Sequence, residues 1–211
     1  MSQDDVRRLL LKRAAAADLA VDDRLVDRLE RYFQLLARWN ARINLTGFSL
    51  KDPTDQALDR LIVEPLLIAR AFNYPVGVWF DLGSGGGSPA IPIQLYRPAE
   101  TLVLVESKER KAAFLREAIR DMQLEQVEVE CARIESTATD HRLAGTADLV
   151  TIRAVTPSES IFASIQRLLR IGGQVALIGS KSDRAFDRDG FEVAPTTEVT
   201  SRMSLTLLSR T

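Results

Sequence analysis

The chain has 211 residues, with 28 Lys+Arg against 29 Asp+Glu, a net charge of −1 and 45% hydrophobic residues. That length fits one domain with at most a small extension, and the composition is that of a chain able to bury a sizeable core. Near-zero charge excludes a protein coated in basic surface, and a single Cys and a single His exclude disulfide frameworks, Cys-rich zinc sites and multi-His metal centres, so no metal site is expected.

Residues 1–20 mix Asp and Arg with Leu and Ala and carry no apolar core of the kind a signal peptide needs. No apolar run approaches the roughly 20 residues of a membrane helix, so a soluble chain with no membrane partner is expected, and the single Cys makes a reducing, cytoplasmic setting the expectation. Ser2 followed by Asp5 predicts an N-cap and a first helix to about Leu19. In the second helix Leu25, Leu29, Phe33, Leu36 and Trp39 recur every three or four residues, with Asp22, Arg24, Asp27, Arg28 and Arg31 on the other face. Asp27 and Arg31 stand in the favourable i,i+4 order for an ion pair. Asn40 to Gly47 breaks the pattern. Asp55 to Phe72 is a third amphipathic helix, ended by Asn73-Tyr74-Pro75.

After Pro75 the character changes. Strand-like runs at 76–80, 101–105, 127–131, 147–152 and 174–178 alternate with helical stretches at 90–96, 108–122 and 158–169. Such alternation implies a parallel sheet. Two further strand-like runs, 191–199 and 202–210, have no helix between them and predict a hairpin. The expected architecture is an N-terminal helical extension over residues 1–72. A doubly wound, Rossmann-like α/β domain follows over 73–211, mostly parallel with a C-terminal antiparallel hairpin.

The sharpest motif is Asp81-Leu82-Gly83-Ser84-Gly85-Gly86-Gly87 after the first strand. Glycines there let the chain turn tightly and bring a ligand close to main-chain N–H groups. The dinucleotide pattern G-x-G-x-x-G fails, because Ser88 stands at its last glycine. Asp81, at the strand end, can accept from a ligand's ammonium group. Glu106 ends the second strand about 20 residues further on, where a carboxylate accepts the ribose hydroxyls of an adenosine. That spacing suits S-adenosylmethionine as well as NAD. Cys131 reads as a small buried hydrophobe on the third strand, and His141 as a loop residue with no nucleophile to serve. Trp39 reads as core by its spacing with Phe33 and Leu36.

With these motifs in order, the chain resembles the bacterial small-subunit ribosomal RNA methyltransferase G family, also called glucose-inhibited division protein B. The matching stretches are Asn40-Ala41-Arg42-Ile43-Asn44-Leu45-Thr46, Asp81 to Ile91, Glu106-Ser107 with Arg110-Lys111 and Phe114-Leu115-Arg116, Arg133-Ile134-Glu135, Ile152-Arg153-Ala154-Val155, and Gly172-Gly173. The resemblance implies a class I enzyme that uses S-adenosylmethionine to methylate guanine N7 in 16S rRNA. Its partner would be 16S rRNA or the small ribosomal subunit, and a monomer is expected. By the same resemblance Gly83, Gly85 and Ser88 line the methionine end of the cofactor, beside the candidate ammonium acceptor Asp81. Glu106 holds its ribose, Ile134 and Glu135 frame its adenine, and Arg153 sits at the cofactor edge of the substrate pocket as the candidate catalytic residue. The chain departs from the family pattern at Leu61, Glu64 and Pro65, at Ser88 where a bulky apolar residue is usual, and at Ile178 where a Lys is usual, with Lys181 nearby.

Attack by guanine N7 on a sulfonium methyl needs little general-base help, because the nitrogen's lone pair is already exposed; alignment supplies most of the rate. The fourth strand ends Thr151-Ile152-Arg153-Ala154, not in the Asn-Pro-Pro-aromatic sequence of amino-methyltransferases. Candidate RNA contacts are Lys108, Arg110, Lys111 and Arg116, together with Arg7, Arg8, Lys12, Arg13, Arg38 and Arg42. Residues 1–50 hold nine Lys+Arg and seven Asp+Glu, a weak basic excess. The competing readings are a methyltransferase of another RNA, a small molecule or a protein, a cofactor-binding ribosome-associated factor without turnover, and a nicotinamide reductase.

Overall fold

The computed structural model describes residues 3–72, 75–153, 158–179 and 189–211. Ser2, Asn73, Tyr74, Ala154, Val155 and Lys181 lie outside the described residues. The chain divides into two compact units. One comprises 1–72, 85–98 and 110–125; the other comprises 73–84, 99–109 and 126–211.

In the first unit, α1 (Gln3–Ala16) buries Val6, Leu10 and Ala14, one residue per turn. The second helix, α2 (Asp23–Asn40), is capped by Asp22, whose carboxylate accepts from the Leu25 N–H at 2.7 Å. It buries Val26, Leu29, Tyr32, Phe33, Leu35 and Leu36, the stripe its apolar spacing dictates. Trp39 is half-buried and meets Phe114 edge-to-face at 5.9 Å. The expected Asp27–Arg31 pair does not form. Arg7 takes Asp27, and Arg31 makes a forked pair with Asp121 at 2.9 and 3.0 Å, on α6 (Glu109–Asp121). A planar guanidinium gains more from two aligned bonds than from one exposed i,i+4 contact.

The third predicted helix is interrupted. It runs as α3 (Asp55–Leu58), a π-helical turn (Asp59–Val63) and α4 (Glu64–Ala69). Pro65 is the cause: it carries no N–H for the Leu61 carbonyl four residues back, and its ring crowds that carbonyl. The buried Ser88 hydroxyl supplies the missing donor, 2.8 Å from the Leu61 oxygen. Two departures from the family pattern, Pro65 and Ser88, are thus one structural feature. Ser88→Ala should destabilise the chain by about 1–3 kcal/mol, the penalty of a buried carbonyl left without a donor. Urea unfolding checks this, and an unchanged midpoint would contradict it. Ser88 precedes α5 (Ala90–Tyr96), which has the limits its sequence predicts.

The second unit holds one eight-stranded sheet: β1 (Val78–Leu82), β2 (Thr101–Val105), β3 (Val127–Glu130), β4 (Ala147–Arg153), β5 (Leu169–Gly179), β6 (Phe191–Val193), β7 (Thr197–Thr200) and β8 (Met203–Arg210). Its order is β3-β2-β1-β4-β5-β8-β6, with β7 also on β8. The first five strands are parallel and β8 is antiparallel to β5. The predicted hairpin is therefore present, but its first run is divided in two. Pro195 cannot donate to a ladder, so β6 and β7 end on either side of it and pair separately with β8. Two short helices, α7 (Ile134–Thr137) and α8 (Glu159–Leu168), complete the unit. Phe162, Ile165 and Leu168 of α8 join Phe80, Leu82, Val103, Val105, Val150, Ile152, Val175 and Leu177 in one buried core. No helix among the described residues is long and apolar enough to cross a membrane.

Candidate functional site

The sheet changes direction at β1. From β1 the chain runs outward through β2 to β3, then returns to place β4 on the other flank of β1. Ligands bind beyond the carboxyl ends of strands at such a switch point. Register fixes what stands there: Leu82 is level with Val105 and Ile152, and Val105 with Glu130. Asp81, Gly83, Glu106 and Arg153 are therefore delivered to one edge by three adjacent strands.

Beyond β2 lies a cavity of about 210 Å³, whose walls include Gly83, Glu106, Arg133, Ile134 and Glu135. Four of the residues singled out in the sequence, Gly83, Glu106, Ile134 and Glu135, are thus brought together. Gly83 turns the chain with φ +75°, a left-handed conformation that favours glycine. Its N–H donates to the Val105 carbonyl at 2.9 Å and the Ser84 N–H to the same oxygen at 3.1 Å, so the loop start is tied to the end of β2. Glu106 is buried, and one of its carboxylate oxygens accepts from the Lys108 N–H at 2.8 Å. The side chain is thereby fixed as an acceptor at the mouth of the strand.

Asp81 sits deeper, 2% exposed. Thr151 on β4 holds it: the Trp79 indole N–H donates to the Thr151 hydroxyl at 2.9 Å, and that hydroxyl donates to Asp81 Oδ1 at 2.5 Å. A hydroxyl has one proton. With its acceptor side taken by the indole, that proton is aimed at the carboxylate. Burial pushes the Asp81 carboxyl above the usual carboxylate range. The hydroxyls of Thr151 and Ser84 and the charge of Arg153 pull the other way, and the charge of Glu106 adds to the rise. Asp81, Glu106 and Arg153 therefore sense one another across the edge.

The sign of the pH effect follows. A carboxyl whose folded pKa is raised contributes stability that is fully present below the ordinary range of about 4 and is lost as pH rises through the folded value. Asp81→Asn keeps the acceptor for Thr151 and removes the charge. Its melting temperature should exceed that of the unsubstituted chain at neutral pH, with the gap closing toward pH about 4. A gap that does not vary with pH would contradict this reading.

The other sequence-selected residues lie as follows. Gly85 and Ser88 belong to the first compact unit, Gly85 with φ +54° and Ser88 with its hydroxyl committed to Leu61. Arg153 ends β4, half-buried. Burial raises Asp148, but its Arg170 partner at 2.6 Å and the Val78 N–H at 2.8 Å hold it below the usual range; it is thus committed to Arg170. Cys131 corrects an expectation: it is exposed just after β3, where the strand has left the sheet. His141 lies exposed in a turn. Of the expected RNA-contacting cations, Arg7, Arg8 and Arg13 are each bound to carboxylates. Thr151 and Trp79 were not anticipated. The available signal was a Thr between the apolar residues Val150 and Ile152 of β4, level with Asp81.

This is the class I S-adenosylmethionine-dependent methyltransferase fold, with its acidic residues at the carboxyl edge. The fold is shared with a SAM dependent methyltransferase from Aquifex aeolicus at a TM-score of 0.61 and 15% identity, covering 77% of this chain and 95% of that one. Residues 25–201 match the family model described as rRNA small subunit methyltransferase G, and the chain belongs to that family. Curated relatives carry the same description. Ribosomal RNA small subunit methyltransferase G of Paracoccus denitrificans is 38% identical over 162 residues, 77% of this chain and 80% of the relative. That of Halorhodospira halophila is 33% identical over 178 residues, 84% of this chain and 79% of the relative.

Proposed function

We propose that this protein binds S-adenosylmethionine at the carboxyl edge of the sheet and methylates guanine N7 in the 16S RNA of the small ribosomal subunit, as a cytoplasmic monomer. The observation that carries the cofactor reading is the pair of buried strand-end carboxylates, Asp81 and Glu106, with the cavity beside Glu106. The residues fit the group. Glu106 faces a volume suited to one nucleoside, with Ile134 as an apolar wall for a base and Glu135 beside it. Asp81 is a buried carboxylate whose charge is opposed by burial, so a ligand's ammonium group offsets a real penalty.

When bound, S-adenosylmethionine supplies an electrophilic sulfonium methyl. The chain's own work is to orient. Glu106 accepts from ribose hydroxyls, Asp81 from the ammonium group, and the Gly83 turn lets the main chain come close. Arg153 presents a planar cation at the same edge, suited to a guanine edge or an RNA phosphate. Guanine N7 keeps an available lone pair at neutral pH, so holding it in line contributes more than proton transfer would. Support for rRNA as substrate comes from family membership.

Thermal melting tests the cofactor assignment. S-adenosylmethionine and its demethylated product should each raise the melting temperature, and NAD should not. A shift with NAD alone would overturn the assignment.

A further inference from the structure

Some arginines of the first unit reach a carboxylate, and others, Arg38 and Arg42 among them, form no ion pair among the described residues. Arg7, Arg13 and Arg31 each reach a carboxylate, Arg13 to Asp59 at 2.6 Å and Arg31 to Asp121 at 2.9 Å. Arg24 and Arg28 differ. They stand one turn apart on α2, and among the described residues neither forms an ion pair with a carboxylate. Both line an open groove of about 660 Å³, walled also by Asp22, Leu25, Leu95 and Tyr96. The Asp22 carboxylate caps α2 through the Leu25 N–H. Arg28 is half-buried and donates to the Met122 carbonyl at 2.9 Å, which fixes its guanidinium in place.

We propose that this groove binds a phosphodiester of the substrate RNA between Arg24 and Arg28, with an adjoining unstacked base against Tyr96. The inference rests on the RNA-methylation reading and adds to it a contact site built by α2 and the end of α5. Two guanidiniums one turn apart repel, and an anion between them turns that repulsion into two charge-assisted hydrogen bonds. Burial and the neighbouring charge of Arg24 both disfavour the charged form of Arg28, so an anion beside it would be favoured, while the Asp22 carboxylate in the same wall is engaged by the Leu25 N–H. Tyr96, half-buried, supplies an aromatic ring of the kind on which single-stranded bases stack. A phosphate contact of this kind positions RNA without reading its sequence.

Arg24 is exposed and its side chain supports no hydrogen bond in the described structure, so substituting it spares the fold. The test measures binding of undermethylated 16S rRNA to the full chain across a salt series, with cofactor affinity and methyl transfer measured in parallel. Arg24→Ala should weaken RNA binding about three- to tenfold and lower the salt slope by about one. Arg24→Glu should weaken it further, Arg24→Lys should keep the slope, and cofactor affinity should stay unchanged in all three. Wild-type RNA affinity and slope in the Ala and Glu variants would overturn the proposal. So would stabilisation by inorganic phosphate that requires Arg24 while RNA affinity does not, since the groove would then serve a free anion. If the unsubstituted chain neither binds nor methylates rRNA, both this proposal and the reading beneath it fall. If it does both and the variants match it, only the groove falls.

Discussion

Arg153→Ala is expected to lower methyl transfer by an order of magnitude or more while leaving the melting temperature nearly unchanged. Arg153 ends β4 at the edge where Asp81 and Glu106 stand, and its charge reaches Asp81. Asp148, on the same strand, is taken by Arg170. Arg153 is half-buried and lies outside the hydrophobic core built around α8, so truncation leaves that core intact. Arg153→Lys should rescue little, because a point charge does not reproduce the planar fork that grips a guanine edge or a phosphate. Turnover on undermethylated small-subunit particles, measured beside thermal melting, checks both variants. Wild-type turnover by the Ala variant would remove Arg153 from the site. A large melting loss with a proportionate loss of activity would make it a structural residue instead.

Glu106→Ala should reduce S-adenosylmethionine affinity at least tenfold. Two charge-assisted bonds to ribose hydroxyls are lost, each worth about 1.5–3 kcal/mol. The substitution also frees the Lys108 N–H, which Glu106 now accepts at 2.8 Å, so the loop after β2 loses its tie. Glu106→Gln separates the two effects. It keeps an acceptor for Lys108 and for one hydroxyl, and should fall between the parent and the Ala variant. Calorimetry with the demethylated product reads affinity without turnover. An unchanged affinity in a folded Ala variant would move the ribose contact elsewhere.

The sequence made the sheet legible because its strands are short apolar runs set off by glycine-rich turns and amphipathic helices. It made α2 legible because five apolar residues repeat at helical spacing. Other features depended on partners far along the chain. Arg31 turns from Asp27, four residues away, to Asp121, ninety residues away, and nothing local announces that exchange. Pro65 and Ser88 read as unrelated departures from the family pattern, yet one removes a donor that the other restores. The split of the 191–199 run follows from Pro195, whose meaning was local and available. The helix α7, at four residues, is too short for any periodicity to reveal.

The candidate site was legible at its edges. Glycines after a strand and a carboxylate about 20 residues further on have a fixed geometric meaning in a parallel sheet, so Gly83, Glu106, Ile134 and Glu135 meet at one cavity. Thr151 was hidden, because its role exists only when β4 lies beside β1 and the indole of Trp79 takes its acceptor side. Cys131 misled because its strand ends one residue earlier than its alternating pattern implied.

Methyl transfer itself tests the proposed activity directly. Purified protein is incubated with isotopically labelled S-adenosylmethionine and small ribosomal subunits from cells lacking this gene, and the 16S RNA is then digested and mapped by mass. One labelled nucleoside, 7-methylguanosine, is expected at a single position, with the Arg153→Ala variant transferring at least tenfold more slowly. Label in protein, at another atom of guanine or in another base, or absent altogether although the cofactor binds, would contradict the proposed activity.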